Sequence, residues 1–115
     1  MTAANYDLNG QAIIEQGAGW SLTLKYPGNV QTGYFRGQIK TDFGGQLIAD
    51  FRNDPPSYSE TNQETTVRFY LNASQTKLMP LPEDFYRYDI IMFPPDHDPI
   101  RLMQGKAYVS PGITL

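Results

Sequence analysis

The sequence predicts an all-β domain in which about seven short strands form two packed antiparallel sheets, a partly open barrel being the other arrangement they allow. Apolar and polar residues alternate with a period of two along successive segments, the pattern of half-buried strands. The 10 glycines and 9 prolines are scattered between those segments, where turns belong. One short interval alone has helical character.

Residues 1–10 are polar and read as an N-terminal arm, with Tyr6 and Leu8 as anchors and Asn9-Gly10 as a turn signal. The sandwich is expected over residues 11–110, with 111–115 as a C-terminal tail. The organising stretch is Ala12–Tyr26. Two apolar runs, Ala12-Ile13-Ile14 and Trp20 to Leu24, flank Gly17-Ala18-Gly19, which suits a bend between two strands. Trp20, Leu22 and Leu24 share one face, so the only Trp is assigned to the core.

After a Pro27-Gly28-Asn29 turn, Gly33–Lys40 is a strand with Phe35, Gly37 and Ile39 on one face. Gln46–Phe51 returns as its hairpin partner, with Leu47, Ala49 and Phe51 on one face. The polar interval Asp54–Gln63 reads as a surface loop. Thr65–Leu71 is a strand with Val67, Phe69 and Leu71 inward and Thr66, Arg68 and Tyr70 outward. Ser74 is a plausible N-cap for a helical turn near 74–78, which Pro80 and Pro82 stop. Tyr86, Tyr88, Ile90 and Met92 share one face of the next strand. Residues 94–99 form a turn, and Ile100–Val109 is the last strand, with Gly105 as its expected bulge.

A chain of 115 residues suits one domain. Its net charge of −3 offers no electrostatic footprint for nucleic acid or an anionic membrane. With no Cys, disulfides, thiol catalysis and Cys-based metal sites are excluded. No apolar run approaches the ~20 residues of a membrane span, and the first ten residues lack a secretory signal's pattern. The expectation is a soluble protein folded in the cytoplasm.

The residues themselves reveal no active site. His97 between Asp96 and Asp98 is the nearest approach to a metal cluster, but the flanking prolines make it a solvated hairpin tip. Glu15 and Asp89 are a conceivable carboxylate pair that nothing in the sequence brings together. No nucleophile elbow, triad spacing or phosphate loop is present. Tyr34, Tyr58, Tyr70 and Phe93 fall at outward or loop positions. They suit protein anchors, carbohydrate platforms or ordinary surface tyrosines and phenylalanine.

A set of ordered motifs adds to this reading. Ile14-Glu15-Gln16-Gly17-Ala18 precedes the alternating strand Trp20–Leu24, and Thr32-Gly33-Tyr34 leads to Gln38-Ile39-Lys40. Ser74 through Leu81-Pro82 follows, then Tyr86-Arg87-Tyr88-Asp89-Ile90, Leu102-Met103-Gln104-Gly105 and Val109-Ser110-Pro111. In this order the chain resembles the small virion structural proteins of tailed bacteriophages, cyanophages among them, over residues 12–111. It departs locally: the segment before Thr32 is short, and 54–63 is long and rich in proline. The resemblance implies an immunoglobulin-like sandwich acting as a non-enzymatic building block of a tail, baseplate, neck or fibre adaptor. It implies virion localisation after assembly in the host cytoplasm, partners that are other virion proteins in a homo- or hetero-oligomer, and no cofactor. Tyr6, Leu8, Tyr58, Tyr70, Ile113 and Leu115 are the interface residues expected, and a small carbohydrate-binding β module is the alternative function.

Overall fold

The computed structural model describes residues 4–42, 44–95 and 97–111. Two sheets face each other, and the alternating segments supply their long strands. β1 (Ala4–Asn5) opens the chain, followed by a 3₁₀ turn over Gly10–Ala12 and β2 (Ile14–Glu15). Next come β3 (Trp20–Pro27), β4 (Tyr34–Lys40), β5 (Leu47–Asp50), β6 (Arg52–Asn53) and β7 (Ser57–Ser59). β8 (Glu64–Leu71), α1 (Ala73–Leu78), β9 (Tyr86–Phe93), β10 (Ile100–Ala107) and β11 (Val109–Ser110) complete it. One sheet has the order β1-β10-β9-β4-β5, the other β3-β8-β6 with β7 also on β8, and β2 and β11 form a separate pair.

Alternation decides what each strand buries. Trp20 and Leu24 of β3 and Val67, Phe69 and Leu71 of β8 point into the interlayer space. Phe35 and Ile39 of β4, with Tyr86, Tyr88, Ile90 and Met92 of β9, meet them from the other sheet. Phe35 packs edge-on to Phe69 across the layers, centroids 6.2 Å apart. Such interdigitated apolar side chains are the main source of stability in a sandwich.

Phe51 joins the layers covalently as well as by packing. The chain leaves the first sheet at Asp50 and enters the second at Arg52, a strand that switches sheets at a corner. At the switch Phe51 stacks on Trp20 at 5.1 Å and meets Tyr88 edge-on at 6.1 Å.

Several expectations need correction. The sandwich is not purely antiparallel: β1 runs parallel to β10 and β2 parallel to β11. Ala12–Ile14 is no partner for Trp20–Leu24. It forms a 3₁₀ turn and a two-residue strand beside the C-terminal β11, while β3 pairs with β8. The described residues 4–10 are not a loose arm. Leu8 is wholly buried, bridges to Ala107 and accepts a 3.1 Å hydrogen bond from the Tyr108 N–H.

Leu47 is 45% exposed rather than inward, because the β4–β5 register shifts between Ile39 and Lys40. Within 54–63, Ser57–Ser59 is a strand on β8 rather than loop. Asn72 caps α1 in place of Ser74: the Gln75 side chain accepts from the Asn72 N–H at 2.9 Å, one half of a capping box. The irregularity in β10 falls between Arg101 and Met103, leaving Leu102 unpaired. Gly105 serves another purpose: a Cβ there would overlap the Tyr6 backbone that passes over it.

Candidate functional site

The residues with chemistry on them converge on the outer face of the five-stranded sheet. Tyr34, Arg36, Gln38 and Lys40 alternate outward along β4, as do Arg87, Asp89, Ile91 and Phe93 along β9. Strand register turns these into rows. Tyr34 lies opposite Phe93, and their rings stack 4.6 Å apart at 9°. Arg36 and Arg101 flank Ile91 in the next row. Asp50, Gln38, Asp89 and Gln104 make the third, and Lys40, Arg87 and Lys106 the fourth.

Neighbouring rows carry opposite charge, so diagonal pairs form. Arg101 reaches Asp89 at 3.4 Å and Arg36 reaches Asp50 at 3.9 Å. The Gln38 amide donates to Asp50 at 3.0 Å, and that of Gln104 to Asn5 at 3.3 Å. These groups are half exposed or more in most cases, so each pair adds little to stability, at most ~1 kcal/mol. Three cations directly opposite one another in the fourth row repel. Phe85 offsets this: Lys106 lies 4.6 Å and Arg87 4.8 Å from its ring centroid. A small cleft of about 110 Å³ opens here among Gln38, Lys40, Asp42, Arg87, Asp89 and Arg101.

This arrangement offers charge and ring contacts. Among the described residues no group of three or more His, Asp or Glu could hold a metal ion. Asp89 is engaged by Arg101 and Glu15 sits in the separate β2–β11 pair, so they form no catalytic dyad. The His97 N–H donates to the Pro94 carbonyl in the hairpin turn, and Asp96 lies outside the described residues. Burial raises the pKa of Tyr86, and burial followed by the Asp7 carboxylate raises that of Tyr88. Both shifts run away from neutrality, so neither phenol is tuned for acid–base work.

The described members of the expected interface, Tyr6, Leu8, Tyr58 and Tyr70, do not gather. Tyr6 is 45% exposed at the β10 edge, whereas Leu8 belongs to the core. Tyr58 is half-buried on β7, and the ring of Tyr70 lies under the Arg68 guanidinium at 4.8 Å. Ile113 and Leu115 lie outside the described residues. Tyr34 and Phe93, both read from sequence as outward or loop aromatics, are the two that come together. The row structure escaped sequence reading because alternation fixes a face within one strand but not the register between strands.

No protein-family model matches the chain, and no curated protein sequence matches it.

Proposed function

We propose that the chain is a non-enzymatic structural subunit of a tailed-phage virion, an immunoglobulin-like building block of the baseplate, neck or fibre adaptor acting through protein–protein contacts. One observation supports the reading: residues in the ordered motifs are engaged in holding the fold together. The Gln16 amide donates to the Met79 carbonyl at 2.7 Å, and the Gly17 N–H donates to the Thr76 hydroxyl at 3.1 Å. Tyr86 donates to the Pro80 carbonyl and Tyr88 to that of Tyr6. Gly105 makes room for the Tyr6 backbone. A sequence pattern made of such positions specifies a scaffold.

The outer face of the five-stranded sheet suits the contacts such a scaffold makes, having the exposed Tyr34 stacked on a half-buried Phe93 at one end and alternating charge rows beyond them. Mass spectrometry of purified particles of the phage encoding this chain tests the reading. Stoichiometric copies in the tail fraction are expected; absence from intact particles overturns it.

Tyr34 favours a second reading. It is 62% exposed, and stacking on Phe93 occupies one ring face and leaves the other for a sugar. Glycan-array binding abolished by Tyr34→Ala would support a carbohydrate-binding module, and an empty array would remove it.

A further inference from the structure

The second sheet ends in an open edge. β3 is eight residues long and pairs with β8 without a register shift, and among the described residues no strand lies on its other side. Which backbone groups face outward follows from the register. The Gly28 N–H donates to the Gln63 carbonyl at 2.9 Å, one step beyond the Pro27–Glu64 pair. Hydrogen-bonded pairs alternate in an antiparallel ladder. Tyr26, Leu24, Leu22 and Trp20 therefore bond to β8. Ser21, Thr23 and Lys25 turn their N–H and C=O groups to the open side.

Edges of this length are usually blunted by bulges, charges or proline. Here Lys25 and Pro27 guard one end, and Ser21 to Thr23 carry no such device.

We propose that this edge pairs with the same edge of a second copy, antiparallel about a two-fold axis through Thr23. In that register Thr23 opposes Thr23 of the second copy, and Ser21 opposes its Lys25. All three outward-turned residues then exchange backbone hydrogen bonds. On the inner face Leu22 meets Leu24 of the second copy and Trp20 meets its Tyr26. Leu22 and Tyr26 are only half-buried, so pairing extends the apolar layer where it is now open. The two Lys25 side chains lie at opposite ends, and each keeps its own Glu64 at 3.8 Å. Centring the contact on Lys25 instead would oppose like charges and bring in Pro27, which has no N–H to give. Centred on Thr23, the edge is complementary to itself, with apolar residues opposed on the inner face and the Lys25 side chains kept apart, which favours a second copy as its occupant.

The inference stands apart from the virion reading and survives the protein's absence from particles. The chain has no Cys, so a single introduced thiol reports the register. Directly opposed Thr23→Cys thiols place their Cα atoms ~5.5 Å apart, within disulfide reach. Ser21→Cys thiols would sit four residues apart along the ladder, ~14 Å, beyond it. Sedimentation of the wild-type chain at rising concentration should show a dimer. Mild oxidation should link Thr23→Cys and leave Ser21→Cys unlinked. Thr23→Pro, which removes an N–H that β8 does not use, should give a monomer with an unchanged circular dichroism spectrum. A wild-type chain that stays monomeric overturns the proposal, as does cross-linking of Ser21→Cys as fast as Thr23→Cys. Should Thr23→Pro fail to fold, the thiol pair still decides.

Discussion

Gly37 leaves open the space that Phe51 fills. A Cβ on Gly37 would overlap the Phe51 ring, and the Phe51 N–H donates to the Gly37 carbonyl at 2.9 Å. The ring cannot retreat, because Trp20 stacks on it at 5.1 Å and Phe69 meets it edge-on at 6.4 Å. Close packing turns one added methyl into strain.

Gly37→Ala is accordingly expected to destabilise the domain by ~1–3 kcal/mol, the usual range for overpacking a core. In urea the midpoint should fall while the slope holds, as befits a loss of stability without a change in the surface exposed. An unchanged midpoint would mean that the corner yields easily and that Phe51 does not tie the sheets.

Thr76 fastens α1 to the turn after β2. Its hydroxyl, fully buried, accepts from the Gly17 N–H at 3.1 Å and reaches the Ala18 carbonyl at 2.8 Å. Thr76→Val keeps the shape and removes the hydroxyl, leaving both backbone groups without that partner. The expected loss is ~1–3 kcal/mol. Thr76→Ser should recover most of it, since the hydroxyl returns and only a methyl is missing. Equal losses for the two variants, measured by chemical denaturation, would mean that restoring the hydroxyl recovers nothing and would overturn its role.

Tyr88 makes stability sensitive to alkali. Its hydroxyl donates to the Tyr6 carbonyl, and burial, then Asp7, raise its pKa above the ordinary 10.0. Because the folded state holds this proton more tightly than the unfolded state, the contribution is fully present below pH 10.0 and is lost as pH rises beyond it. Burial raises Tyr86 in the same direction, so the two losses add. Denaturation midpoints should fall as pH rises above 10.0. Tyr88→Phe should lower the neutral-pH stability by ~1 kcal/mol and flatten the alkaline decline. A variant that declines as steeply as the wild type would exclude Tyr88 as the source.

The strands that alternation makes visible are those that bury one face. Trp20–Leu24, Phe35–Ile39, Val67–Leu71 and Tyr86–Met92 each carry three or more alternating positions, enough to fix type and facing. β1, β2 and β11 have two residues each, too few to show any period. Their pairings also join the two ends of the chain, and Gln104 bonds Asn5 across 99 positions. Asn72 as the helix cap was legible, since Asn72 and Gln75 have capping-box spacing. Ser74 suits a cap by residue type just as well. The charge rows of the outer face depend on register, which the sequence of one strand does not contain.

Leu8 distinguishes a loose arm from an integral strand. Its exposure is 0%, its N–H donates to the Lys106 carbonyl at 2.8 Å, and its carbonyl accepts from Tyr108. Tyr6, two residues earlier, holds the backbone contact to Gln104 at 2.9 Å while its side chain is 45% exposed. Leu8→Ala should therefore cost ~2–5 kcal/mol, as cavities left by buried leucines do. Tyr6→Ala should stay within ~0.5 kcal/mol of the wild type, since the backbone bonds remain. In hydrogen exchange, the amides of Leu8 and Ile14 should be protected alongside those of β10, because they donate to the Lys106 and Tyr108 carbonyls at and just past its C-terminal end. If Leu8→Ala melts with the wild type and those amides exchange freely, the first residues are an arm after all, and the core closes without them.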